Sequence, residues 1–213
     1  MSPHTIDLPG HGESSEPIGG LHRDADAVKR RLDEIGSPTL LVGHSYGGMV
    51  ITDAGSHHNV RGLVYVCAFM PAEGKSLMDE GPNRPASEDD DAESRRAADY
   101  VTLTDTPGLR FVAERAGGIL YNDCDEATKA WASQRLDEQS IESFNEVPRV
   151  LSYNALPSTY VVCTLDETIP PSNQRRMAKR ATETLELEAS HSPFLSVPDR
   201  LAEIISKQSA SIA

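Results

Sequence analysis

The chain has 213 residues, with 33 acidic and 20 basic side chains and a formal net charge of −13. That length suits one domain with a sizeable core, and the acidity argues against nucleic acid or an anionic membrane as a partner. No apolar run is long enough to span a bilayer, and no basic stretch leading into an apolar one opens the chain, so the reading is a cytoplasmic protein acting on a small molecule. Part of the acidic excess comes from the run Glu88-Asp89-Asp90-Asp91-Ala92-Glu93, read as a solvated loop. Cys67, Cys124 and Cys163 are odd in number and lack metal-type spacing. Cys67 and Cys163 fall within apolar runs, so they read as buried free thiols in a reducing compartment.

In chain order, residues 4–7 resemble the end of a strand, broken by Pro9 and Gly10 into the tight loop Asp7-Leu8-Pro9-Gly10-His11-Gly12-Glu13-Ser14. Residues 21–35 place Leu21, Ala25, Val28, Leu32 and Ile35 at helical spacing, with Gly36 and Pro38 beyond the end. The apolar run Thr39-Leu40-Leu41-Val42 then enters Gly43-His44-Ser45-Tyr46-Gly47-Gly48, and residues 49–54 read as a helix. A serine at a sharp turn between strand and helix is the nucleophile-elbow pattern. Its backbone is strained to lift the hydroxyl clear of the sheet, and Gly43 and Gly47 are expected where strand and helix nearly touch. The helix N-terminus turns free N–H groups toward whatever Ser45 attacks.

Residues 62–70 form a continuous apolar run, the mark of a strand buried on both faces in a parallel sheet. Residues 71–156 interrupt the strand–helix rhythm with Pro, Gly and charge. They suggest a strand at 100–104 and a helix at 125–136, and they read as an inserted cap over a site. The rhythm resumes with a strand at 158–165, a helix at 172–181, a short strand at 184–188 and a last helix from Pro198 to Ser206. The fold class is therefore α/β: a mostly parallel sheet flanked by helices, with residues 1–70 and 157–213 as core and 71–156 as the insertion.

An activated serine needs a base, and the base needs an acid to orient it. Asp166 follows the apolar strand at 158–165 and His191 follows the last strand, both where ligands bind beyond the carboxyl ends of a parallel sheet. Glu167 is the rival to Asp166. His44 reads as packing beside the elbow and His11 as a residue fixing its loop, while His4, His22, His57 and His58 read as solvated. Leu120, Tyr121 and Trp131 are candidates to line an apolar substrate pocket, with the insertion's own core as the simpler reading for each.

With these motifs in order, the chain resembles the α/β-hydrolase superfamily over nearly its whole length. Its elbow and modest insertion are similar to the small-cap branch of plant methylesterases, hydroxynitrile lyases and bacterial esterases. The resemblance implies Ser45 as nucleophile, His191 as base and then acid, Asp166 as its orienter, and the Tyr46 backbone N–H as an oxyanion donor. It implies no cofactor and no metal. Hydroxynitrile lyases of this branch carry lysine after the histidine, whereas this chain has Ser192, so cleavage of a small carboxylic ester is favoured over a lyase reaction. A non-catalytic, truncated hydrolase is the remaining alternative. Members of the family carry roughly 30–45 more residues before the Asp7 motif, set against a typical domain length. Those residues supply the first strands, the first helix and a loop bearing the second oxyanion donor, so an N-terminally truncated chain with an incomplete sheet is expected.

Overall fold

The computed structural model describes residues 2–81, 101–104 and 108–211, so the acidic run at 88–93 lies outside the described residues. Helix α1 (Leu21–Ile35) buries Leu21, Ala25, Val28 and Leu32 along one face, as their spacing demands. It stops at Gly36, whose φ of 63° lets its N–H donate to the Leu32 carbonyl. Strand β1 (Thr39–His44), helix α2 (Gly47–Ala54) and strand β2 (Val60–Val66) follow. Between residues 71 and 156 lie α3 (Leu77–Glu80), β3 (Val101–Leu103), β4 (Gly108–Phe111), α4 (Ala113–Leu120), α5 (Glu126–Ser133), β5 (Gln139–Ser140) and α6 (Ile141–Asn145). The chain then returns through β6 (Ser158–Cys163), α7 (Pro171–Ala178), β7 (Glu183–Leu187), α8 (Pro193–Ser196) and α9 (Pro198–Ser211).

Strands β1, β2, β6 and β7 form a parallel sheet in the order β1-β2-β6-β7. Side chains alternate across it. Leu63, Tyr65, Tyr160 and Val162 pack with α1, α2 and α7 on one face, while Val64, Val66, Val161 and Cys163 pack with Leu187 and Leu201 on the other. Both faces are covered, which explains why these strands read as unbroken apolar runs. Two buried tyrosines sit in the first face without orphaned hydroxyls: Tyr65 bonds Thr52 Oγ1 at 2.8 Å and Tyr160 donates to the Ala68 carbonyl at 2.5 Å.

Residues 4–7 are not a strand; they are exposed and extended and join no sheet. A segment becomes a strand only by pairing, and among the described residues β1 pairs with β2 alone. The elbow strand thus stands at an edge, with Val42 41 % exposed.

Strands β3, β4 and β5 make a separate antiparallel sheet. The segment carrying them is fastened to the parallel-sheet layer at both ends by buried carboxylates. Glu80 pairs with Arg176 and, at 3.0 Å, with Arg180 of the residues around α7. Near the other end, Arg149 and Lys29 converge on Asp53 of α2, at 2.8 and 2.9 Å. Removing one partner of such a pair strands a buried charge, at a cost of about 3–5 kcal/mol. Among the described residues, no helix is long and apolar enough to cross a membrane.

Candidate active site

Ser45 sits between β1 and α2 at φ 51°, a left-handed conformation that non-glycine residues rarely adopt. The surrounding backbone holds it there. Its N–H donates to the Val66 carbonyl at 3.3 Å, and its carbonyl accepts from Gly48 and Phe69 N–H at 3.1 and 3.0 Å. The turn is thereby stitched to the end of β2. The glycines that make this possible are Gly43 and Gly48. A Cβ at Gly43 would lie 2.5 Å from the Gly47 carbonyl oxygen, and one at Gly48 would lie 2.2 Å from that of Phe69. At Gly47 a Cβ would meet nothing within 4 Å, so the close approach expected at Gly47 falls one residue later.

His191, 2 % exposed, lies in the loop after β7. Its Nδ1 is 2.8 Å from Asp166 Oδ2. Asp166 follows β6 and is itself fixed: Oδ1 accepts from Thr168 and Ile169 N–H at 2.7 and 2.9 Å. With a carboxylate facing it, Nδ1 carries the proton and Nε2 is left with its lone pair. Glu167 is exposed, which removes it as the rival orienter.

Gln174, which sequence reading passed over, completes the arrangement from α7. Fully buried, its Nε2 donates to Asp166 Oδ2 at 2.8 Å and to the Ile169 carbonyl at 2.7 Å, while its Oε1 accepts from Cys163 N–H at 2.9 Å. One amide therefore ties the end of β6, the acid and the loop after it. A glutamine among Arg175, Arg176 and Lys179 reads as one more surface polar group; the face that α7 buries, Asn173, Gln174, Met177 and Ala178, becomes visible only once the helix packs.

His44 joins the elbow to the His191 loop. Its Nε2 lies 2.6 Å from the His191 carbonyl, an acceptor, so Nε2 is the protonated nitrogen. Loss of solvent and the neighbouring His191 ring push the His44 imidazole down to about 3, so it stays neutral. Cys67, at φ 36° just past β2, donates its thiol to the same carbonyl at 3.2 Å. Burial raises the Cys67 thiol, which keeps that proton in place. Ligand-type atoms of His44, Cys67 and His191 lie within 4.8 Å of one another, and these hydrogen bonds account for their convergence. A second cluster, Asp33, His57 and His58, lies at the surface. There Asn59 N–H occupies His57 Nδ1 and leaves its Nε2 to donate to Asp33.

Tyr46 is the N-cap of α2, and its ring stacks on Phe144 with centroids 6.3 Å apart. Its hydroxyl donates to Asp24 Oδ2 at 2.6 Å. Burial pushes the Asp24 carboxyl up to about 6, against the lowering effect of that hydrogen bond. Ser45 and Tyr46 open on a cavity of about 820 Å³. Its wall is largely apolar, with Leu77, Val101, Leu109, Phe111, Leu136 and Ile169 among its residues, and Arg110, Arg135 and Asp137 add charge. Leu120 and Tyr121 are not part of that wall. They are buried at 5 % and 7 % exposure in a cluster with Ala116, Ile119 and Ala132, while Trp131 is exposed beneath the Arg135 guanidinium. Their segment braces the site from behind instead: Asn122 donates to the Leu165 carbonyl, Asp123 accepts from Ser190 N–H, and the Ile119 carbonyl accepts from Thr168.

A parallel α/β sheet with a strained serine after one strand, and an Asp–His pair on the loops after two others, defines a hydrolase of the nucleophile-elbow type. Residues 2–204 match the model of the alpha/beta hydrolase family, and the chain belongs to that family. It is 29 % identical over 209 residues to the alpha/beta hydrolase nvfD of Aspergillus novofumigatus, covering 90 % of this chain and 79 % of that protein. It is 30 % identical over 224 residues to a pyrethroid hydrolase of Sphingobium wenxiniae, covering 95 % and 75 %. Among solved structures, a pyrethroid hydrolase from Sphingobium faniae superposes with a TM-score of 0.79 at 27 % identity, over 94 % of this chain and 83 % of that one.

Proposed function

We propose that the protein is a serine hydrolase that cleaves a carboxylic ester through an acyl-enzyme, with Ser45, His191 and Asp166 as its triad. The observation that carries this reading is the His191–Asp166 hydrogen bond of 2.8 Å, held beside an elbow whose serine is kept at φ 51°. Ser45 Oγ attacks the ester carbonyl while His191 Nε2 takes its proton. Asp166, fixed by two backbone N–H groups and Gln174, holds the ring and balances the imidazolium. The Tyr46 N–H, at the start of α2, donates to the developing oxyanion. The imidazolium then protonates the leaving alcohol, and water enters by the same steps in reverse.

Residues 71–156 act as a cap, since their separate sheet and α3 supply much of the cavity wall facing Ser45. A cavity of about 820 Å³ with an apolar wall suits a drug-sized hydrophobic ester. The names of the relatives, two of which hydrolyse pyrethroids, support the same reaction class. The test is hydrolysis of p-nitrophenyl butyrate. Ser45→Ala abolishes both the burst of nitrophenol and steady turnover, and turnover unchanged in that variant overturns the assignment.

A further inference from the structure

Between α4 and α5 the insertion turns at residues 121–124, where Cys124 N–H donates to the Tyr121 carbonyl at 2.9 Å. The turn is fixed from inside. Leu120 and Tyr121 are buried with Ala116, Ile119 and Ala132, and Leu195 of α8 packs against the same cluster. The next two side chains leave the insertion altogether. Asn122 Nδ2 donates to the Leu165 carbonyl at 2.9 Å, and Asp123 Oδ2 accepts from Ser190 N–H at 2.7 Å. The Ile119 carbonyl adds a third contact, accepting from Thr168 Oγ1 at 3.0 Å.

Leu165 and Ser190 are the residues immediately before Asp166 and His191. Both lie past the ends of β6 and β7, and a backbone bond from Leu165 N–H to the Ala189 carbonyl, at 3.0 Å, joins the two loops there. Among the described residues, Ser190 N–H has no other acceptor and the Leu165 carbonyl no other donor. A carboxylate accepting from a backbone N–H makes a charge-assisted bond, stronger than a neutral one. Consecutive residues of one turn thus grip both segments that carry the Asp–His pair, so a shift of that turn moves the acid and the imidazole relative to each other. We infer that Asp123, helped by Asn122, is a positioning residue for ester hydrolysis, setting His191 against Asp166 by holding the residue before each. Such geometry is exacting, since misplacement by about 1 Å costs about 10²-fold in rate. Neither Asn122 nor Asp123 lines the cavity, so their effect falls on kcat and not on KM. The inference rests on the hydrolase reading and gives the insertion a second task in it, besides walling the cavity.

The test compares two variants of the full chain. Asp123→Leu removes the acceptor and keeps water from replacing it, whereas the amide oxygen of Asp123→Asn still accepts from Ser190 N–H. With p-nitrophenyl butyrate, Asp123→Leu lowers kcat about tenfold and leaves KM within about twofold, while Asp123→Asn stays within about threefold of the parent in kcat. The Nδ1 proton of His191 gives a downfield NMR resonance, assigned by its loss in His191→Gln. It moves upfield or broadens in Asp123→Leu and holds in Asp123→Asn. If Asp123→Leu does not fold, Asn122→Ala shows the same two changes, with about threefold in kcat. Unchanged kcat and resonance in whichever of these folds, an equal loss in Asp123→Asn, or a rise in KM alone overturns the assignment. A parent chain that cleaves no ester strikes the hydrolase reading instead. The resonance then decides by itself, and its indifference to Asp123→Leu overturns the role given to Asp123.

Discussion

Replacing Gln174 with leucine removes a polar side chain of similar volume from a fully buried position. Four groups lose a bond: Cys163 N–H, the Cys163 carbonyl at 3.4 Å, the Ile169 carbonyl and Asp166 Oδ2. An orphaned neutral group costs about 1–3 kcal/mol and a lost bond to a charged one about 1.5–3 kcal/mol. Partial relaxation brings the total to roughly 3–6 kcal/mol, a large share of the ~5–15 kcal/mol that holds a domain together. For a chain of this size the melting temperature should fall by about 10–20 °C. Below the transition, Asp166 keeps its backbone donors and His191, but its Oδ2 is held less firmly against the imidazole, and kcat should drop about 10- to 100-fold. KM should hold, because Gln174 does not line the cavity. Circular-dichroism melts and p-nitrophenyl butyrate kinetics at 15 °C read both effects. A melting temperature within 2 °C of the parent together with unchanged kcat would refute the reasoning, since it would mean that the amide does not hold the acid.

Gly47→Ala should be tolerated with activity within about twofold, whereas Gly48→Ala should yield little soluble, active protein, because its Cβ would meet the Phe69 carbonyl at 2.2 Å. Expression and specific activity separate the two, and equal behaviour would sink the steric account of the elbow. Asp24 supplies a pH test. Burial raises its carboxyl to about 6 from 3.8, with Glu146 adding to the rise and Tyr46 and Arg23 opposing it. The group is neutral in both states below about 3.8. Between 3.8 and 6 the unfolded chain ionises first, so stability is lost as pH rises, and the loss is constant above 6. Asp24→Asn should therefore gain stability relative to the parent between pH 4 and pH 7, as read by urea unfolding; a flat difference across that range contradicts the burial of the charge.

The parts of this structure that were legible in the sequence are those governed by period and punctuation. Leu21 to Leu32 specified α1 to the residue because spacing and Gly36 agree. The run at 62–70 showed two buried faces because apolar side chains follow one another along it without alternation, and residues 62–66 of β2 are all buried. Short elements carry too few residues for a period, so β4, β5 and α6 went unseen, each of them stabilised by packing across the insertion and not by its own pattern. In the site, Ser45, Asp166 and His191 were visible because each follows a strand with a turn signal. Gln174 was invisible, since nothing local distinguishes a helix glutamine that faces the core from one that faces water. Leu120 and Tyr121 were correctly read as large and apolar, but sequence alone does not say which side of a short helix meets the cavity.

The carbonyl of His191 accepts both the His44 imidazole and the Cys67 thiol. In the proposed mechanism the nucleophile is a serine, yet a cysteine thiol holds the backbone of the histidine proposed as base. A mercurial or small alkylating agent that reaches Cys67 removes one of those two donors and adds bulk beneath the histidine loop. Inactivation by such a reagent would make the protein look like a thiol enzyme to an inhibitor screen, although the proposed chemistry uses no sulfur.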